Sequence, residues 1–265
     1  MNLRLLRRKI ASWAFVTFCV LAVAAALVPL GFILFFVLSR GLSSVDLAFF
    51  TQMPKPVGEA GGGMANAIVG TLILIGMAGL LGVPVGVLSG IYLSEYRTTP
   101  LASAVRFCAD VLNGVPSIVI GIFAYTLAVL PFKRFSALAG SLALGVMMIP
   151  IILRTTEELL KLVPETLREG SMALGATRAA TVFRVILPAS LPGILTGVLV
   201  ALARVAGETA PLLFTSFNNR YWSTSLKQPM ASLTVQVYTY AQSPYDDWHR
   251  QAWAGATVLI FSVLA

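Results

Sequence analysis

Two ionisable residues interrupt a stretch of the chain that is otherwise apolar. Arg204 and Glu208 are the only charged residues between Leu191 and Phe217, and they stand four positions apart. A charge near the middle of a bilayer is costly unless it is paired or faces water, so an ionisable residue there is by default a functional-site candidate. The guanidinium fork matches the oxygens of phosphate or carboxylate. A spacing of four on a helix puts Glu208 on the same face as Arg204. One reading is an anion site, with Glu208 holding Arg204 in place or accepting a hydrogen bond from a protonated oxyanion. The other is an internal ion pair that ties helices together. Arg154 closes a second apolar run and is followed by Thr155, Thr156, Glu157 and Glu158. It is either a further pathway cation or a side chain that snorkels to the interface. Asn113-Gly114-Val115-Pro116-Ser117 interrupts a third run, where Gly and Pro either open the backbone toward a cavity, with Asn113 and Ser117 at its edge, or simply kink a helix.

Other chemistries find no residues. The chain lacks a G-x-x-x-x-G-K-[ST] nucleotide loop, His249 is its one histidine, and Cys19 and Cys108 share no metal-binding or disulfide spacing. No enzyme and no cofactor of its own is expected.

The elements that position these residues follow from composition. Of 265 residues, 57% are hydrophobic and only 11% charged, with mean hydropathy +0.85. A soluble domain is nearer a quarter charged, so most of this surface faces lipid. The net charge of +8 is read as basic loops that orient membrane helices. No basic stripe with interleaved aromatics suggests nucleic acid. A spanning helix needs about 20 apolar residues. Ala14 to Leu38, Ala65 to Leu93, Val105 to Leu130, Ala137 to Leu153 and Leu191 to Phe217 are read as spans. The first follows Arg4, Arg7, Arg8 and Lys9 but is too long for a signal-peptide core. Ala252 to Ala265 begins a sixth span of only 14 residues, so the native protein is expected to continue beyond Ala265. The fold class is therefore all-α and polytopic, with six transmembrane helices, the last incomplete. Residues 1–64 form an N-terminal helix plus outer loop, and residues 65–265 the main transmembrane domain. With the N-terminus inside, basic residues divide eleven to seven in favour of the inner side. The outer loop from Ser39 to Met64 carries Pro54, Pro56 and Gly61-Gly62-Gly63 and is turn-rich. Tyr221, Trp222, Tyr238, Tyr240, Tyr245 and Trp248 suit either the membrane interface or a landing surface for an outer partner.

One inner loop is polar and helix-like. Pro164 suits the first turn of a helix, good helix formers follow from Glu165, and Gly175 interrupts them. Thr177-Arg178-Ala179-Ala180 then starts a second helical stretch that leads to Pro188. A helix–Gly–helix elbow can sit in a partner's groove and pass motion into two spans. Spacing alone leaves this equal to an interfacial linker.

This stretch resembles the coupling loop of ABC importer permeases, E-A-A-x-x-x-G-x(9)-I-x-L-P. Glu169 matches its first position, Gly175 falls six later, and nine residues separate Gly175 from Val185-Ile186-Leu187-Pro188. Gly170 and Ser171 replace the two alanines and Val185 the isoleucine. Ala203-Arg204-Val205-Ala206-Gly207-Glu208-Thr209-Ala210-Pro211 is similar to the R-x-x-G-E-T-A-P segment of phosphate-specific (Pst) importer permeases. Asn113 to Val119, Gln228-Pro229-Met230-Ala231-Ser232-Leu233, and Arg154 after Pro150 also look like that family. The resemblance implies a type I importer fold in the inner membrane, multi-pass, with a cytoplasmic N-terminus. It implies a PstC-like second permease, a PstB-like ATPase dimer that binds ATP and Mg, and a PstS-like phosphate-binding protein. Glu169, Gly170, Ser171, Gly175, Leu187 and Pro188 would then contact the ATPase, and Arg204, Glu208, Arg154, Asn113 and Ser117 would line the phosphate path. The rival readings are a permease for another oxyanion such as sulfate or molybdate, an ion-coupled secondary transporter, and a non-transporting membrane scaffold.

Overall fold

The computed structural model describes residues 3–59 and 61–264, and every long regular element in them is helical. The chain runs α1 (Leu3–Gly41), α2 (Leu47–Thr51), α3 (Ala65–Glu95), α4 (Pro100–Gly114), α5 (Ser117–Ala124) and α6 (Ala137–Leu162). It continues through α7 (Glu165–Ala173), α8 (Arg178–Thr181), α9 (Leu187–Ala206), α10 (Ala210–Thr215), α11 (Leu233–Ala241) and α12 (Asp246–Leu264). Four helical stretches are long and apolar enough to cross a membrane: the one that begins with α1, then α3, α6, and Arg178–Ala206, which contains α8 and α9. The bent pair α4–α5 makes five if it counts as one span.

Burial sorts these helices by role. The most apolar window of α1 is only 6% buried, whereas that of α6 is 67% buried. Helix α1 therefore lies outside the bundle and touches it through α12, where the Thr257 hydroxyl donates to the Val37 carbonyl at 3.1 Å. Helix α6 is the central post, packed against α3, α4, α5, α9 and α10.

Helices α3 and α6 form the largest contact in the bundle. Lipid is as apolar as leucine, so helices in a membrane associate through close packing rather than through the hydrophobic effect. Gly82, Gly86 and Gly90 recur every four residues and put one smooth stripe along α3. All three are buried against α6. A Cβ at Gly86 would stand 2.8 Å from the Ile152 Cβ, and one at Gly90 would stand 2.6 Å from the Thr156 Cβ.

Two expected spans are broken. The run from Val105 to Leu130 turns by 108° between α4 and α5, because Pro116 excludes Val115 from the α region and Val115 is extended at ψ 130°. The run from Leu191 to Phe217 ends its first helix at Ala206 and restarts at Ala210. Helix α6 continues past the expected Leu153 to Leu162, and α12 begins at Asp246 rather than at Ala252.

The segment 218–232 folds back onto the bundle. The Gln228 carbonyl accepts from the Ala137 N–H at 3.0 Å, and the Leu233 N–H donates to the Thr71 hydroxyl at 2.8 Å. Two of its neighbouring aromatics are core residues rather than interface ones: Tyr240 and Trp248 are buried and stack at 4.3 Å. Tyr221, Trp222, Tyr238 and Tyr245 remain exposed.

The glycine stripe makes a contrast that thermal unfolding in detergent can read. Gly86→Leu is expected to cost about 1–3 kcal/mol or more through overpacking. Gly76→Ala, where nothing lies within 4 Å of the added carbon, is expected to leave the melting temperature unchanged or slightly raised.

Candidate functional site

The polar elbow is built by local rules. Helix α7 stops because Gly175 adopts φ +88°, a conformation that favours glycine. The Gly175 N–H donates to the Met172 carbonyl at 2.9 Å, and the Ala176 N–H reaches the Ser171 carbonyl at 3.2 Å. This paired closure of a helix C-terminus is a Schellman motif. Thr177 then caps α8 by accepting from the Ala180 N–H at 3.2 Å. A π-turn, Val182–Ile186, follows. Pro188 has no N–H for the Arg184 carbonyl, and the Leu187 N–H reaches back to the Val182 carbonyl instead.

Side chains stiffen the elbow. The Ser171 and Thr181 hydroxyls meet at 2.9 Å and join its two arms. Buried Arg168 pairs with Glu95 at the end of α3 and donates to the Leu160 carbonyl at 3.1 Å, near the end of α6. Glu169, Gly170 and Pro188 are exposed, while Ser171 and Leu187 are half-buried. At the apex Leu174 is 90% exposed, with Leu167 and Met172 also open. The elbow thus shows an apolar knob on a braced frame.

A second polar centre lies on α6 and α4. Glu157 is 1% exposed. Its carboxylate meets Arg106 at 2.7 Å, Lys161 at 2.5 Å and Arg154 at 3.2 Å. A buried carboxylate needs such partners, since desolvation otherwise expels the charge. Arg106 also donates to the carbonyls of Arg97 at 2.9 Å and Leu93 at 3.0 Å. It therefore clamps α4 to α6 and to the end of α3. Arg154 spreads its fork over a second carboxylate, Asp110 on α4, with Nε to Oδ1 at 2.9 Å and a further contact from the terminal nitrogen.

The expected Arg204–Glu208 pair does not form. Four-residue spacing aligns side chains only within a helix, and α9 ends at Ala206 with Gly207 as its cap. Arg204 stands in the last turn of α9, where a cation suits the negative helix end, and not at the centre of a continuous span. Its side chain is exposed in the isolated chain, Glu208 is half-buried, and among the described residues neither side chain makes an ion pair. The Glu208 carbonyl accepts from the Thr234 hydroxyl at 2.9 Å.

Arg154 and Arg204 are not brought together. Gly197 of α9 packs on Thr155 of α6, which sets Arg204 about 10 Å further along α9 at ~1.5 Å per residue. Exposed Asn113 lies one turn beyond Asp110 on α4, and Ser117 opens α5 beyond the bend. No group of His, Cys, Asp and Glu among the described residues is placed to hold a metal.

Sequence reasoning missed Asp110, Glu157, Arg106 and Arg168. Glu157 had a signal: it stands three residues after Arg154 and four before Lys161, as helical ion pairs do. Asp110 and Arg106 had none, because their partners lie 44 and 51 residues away.

Residues 82–265 match the family described as binding-protein-dependent transport system inner membrane component. The phosphate transport system permease protein PstA of Yersinia pestis is 48% identical over 233 residues, which is 88% of this chain and 79% of that protein. The PstA protein of Haemophilus influenzae is 42% identical over 264 residues, covering 99% of this chain and 93% of its own length. Among solved structures, an inward-facing form of the MetNI methionine ABC transporter superposes with TM-score 0.61 at 22% identity. It covers 76% of this chain and 91% of that one. At that identity the likeness speaks for the fold.

Removing one member of a buried ionic cluster leaves the others uncompensated. Glu157→Ala is expected to destabilise the folded chain by about 3–5 kcal/mol, while Glu158→Ala, which is exposed, changes stability by less than about 0.5 kcal/mol. Thermal unfolding of the two purified variants checks the contrast.

Proposed function

The chain belongs to the family of binding-protein-dependent transport system inner membrane components, and from that footing we propose that it is the permease subunit of an ATP-driven importer of inorganic phosphate. The carrying observation is the conjunction of the braced elbow, with exposed Leu174 at its tip, and close similarity to phosphate permeases over nearly the whole chain. The fold of a type I importer supports the same reading.

The working arrangement is proposed as follows. The N-terminus lies in the cytoplasm and the chain crosses the inner membrane several times. Residues 1–64 form an accessory helix and outer loop, and residues 65–265 form the transporting domain. A PstS-like binding protein delivers phosphate to the outer face. A PstC-like second permease completes the path. A PstB-like ATPase dimer, which holds ATP and Mg, receives residues 164–188 in a surface cleft. Glu169, Gly170, Ser171, Gly175, Leu187 and Pro188 shape that contact.

Charge logic supports phosphate as cargo. Exposed Arg204 carries a guanidinium with no carboxylate on it among the described residues, so its fork is open to an oxyanion. Glu208, on the break beyond α9, accepts a hydrogen bond from a protonated phosphate oxygen and disfavours fully deprotonated sulfate. Arg154, Asn113 and Ser117 line the path as well. Closure of the ATPase dimer on ATP moves the elbow, access alternates, and phosphate leaves inward.

Three substitutions test this in proteoliposomes that hold the assembled transporter. Leu174→Asp is expected to abolish co-purification of the ATPase while leaving the permease folded. Gly175→Val, strained at positive φ by about 1–2 kcal/mol, is expected to lower phosphate-stimulated ATP hydrolysis severalfold. Arg204→Gln is expected to fold and lose uptake; normal phosphate uptake in that variant means that Arg204 does not serve the path. Equal uptake of sulfate or molybdate by the unmodified transporter removes phosphate as the specific cargo.

A further inference from the structure

Arg154 carries two carboxylates that differ in kind. Glu157 is 1% exposed and shared among Arg106, Lys161 and Arg154. Three cations on two helices hold it in place. Asp110 has a side chain 57% exposed, and among the described residues its carboxylate touches Arg154 alone. No second partner among the described residues holds it, so it can turn away without breaking any other contact. The helix that carries Asp110 need not move. Arg106, four residues earlier on α4, is held by Glu157 and by two backbone carbonyls, and release of Asp110 is a rotation about its own side-chain bonds.

The fork that Asp110 fills, Nε and one terminal nitrogen, is the face a guanidinium offers to any planar or tetrahedral oxyanion. With Asp110 turned out, three cations face the single carboxylate of Glu157, and the surplus suits a dianion. We infer that Asp110 is a placeholder for the transported oxyanion: it occupies Arg154 when the path is vacant and yields to the cargo when the cargo arrives. Because a carboxylate competes for the same donors, Asp110 weakens capture at Arg154 and speeds release on the elbow side. Glu157 positions Arg154, and Asp110 tunes it. The inference rests on the phosphate-importer reading above.

The test uses the complete transporter, permease pair with ATPase, without the binding protein. Inorganic phosphate binding to the detergent-solubilised complex is titrated, and uptake turnover is measured in proteoliposomes with the binding protein added. Asp110→Asn keeps the shape and removes the charge. The expected result is roughly three- to tenfold tighter phosphate binding together with lower maximal uptake, while Asp110→Glu restores the parent values. Unchanged phosphate affinity in Asp110→Asn, or weaker affinity, overturns the placeholder. So does a lower melting temperature as its sole effect, which marks a purely structural pair. Asp110→Ser, read by the same measurements, decides the matter should the asparagine variant fail to assemble. A parent complex that neither binds nor transports phosphate refutes the importer reading itself, whereas a parent that transports phosphate beside an unaltered Asp110→Asn refutes this inference alone.

Discussion

A carboxylate with almost no contact with water sits at the junction of three helices, and the bundle around it is arranged to keep it charged. Glu157 is held by Arg106, Arg154 and Lys161, and through Arg106 it reaches the backbone at the end of α3. In a medium of low dielectric the attraction is strong, but so is the penalty for any member left alone. The cluster therefore works as a registry device: α4, α6 and the end of α3 have one mutual arrangement in which every charge is met. The orientation of Arg154 follows from that arrangement.

Above this clamp the membrane helices rely on shape. The glycine stripe of α3 lets α6 approach until backbone and β-carbons touch, which is how helices gain cohesion where solvent supplies no hydrophobic drive. Gly197 does the same between α9 and Thr155 of α6. Pro and Gly then serve a different end. The bend between α4 and α5, and the break between α9 and α10, release backbone groups at depths where a continuous helix would hide them, a pattern tolerated where the backbone is buried or lines a cavity. Arg204 stands beside one break and Asn113 beside the other.

Next to the clamp, the elbow is braced against the helices it joins. The Ser171–Thr181 contact joins its arms, and Arg168 ties α7 to Glu95 and to the Leu160 carbonyl. The elbow is thus tied by side chains to the ends of α3 and α6, and by its own backbone to α9. Arg168 and Arg106 meet α6 within one turn of each other, at Leu160 and at Glu157, so elbow and charge cluster share a mechanical support. The same helix, α6, also carries Arg154.

Much of this was legible in the residues themselves. Apolar runs of about 20 residues force helices across lipid, and the Glu169-to-Gly175-to-Pro188 spacing specified an elbow because a Schellman glycine and an N-capping threonine act through neighbours in the chain. The presence of arginines at 154 and 204 was equally plain. What those arginines touch was not. Arg204 lost its expected partner because a single glycine ended the helix one turn too soon, and i+4 geometry ends with the helix. Arg154 acquired Asp110 from 44 positions away, and Tyr240 left the interface to stack on Trp248 in the core. Local sequence determines where helices start, stop and turn, since those hydrogen bonds span a few residues. Only the tertiary structure decided which charges meet, because ion pairing across helices depends on their packing angle and register, and those are set by the small-residue contacts of the whole bundle.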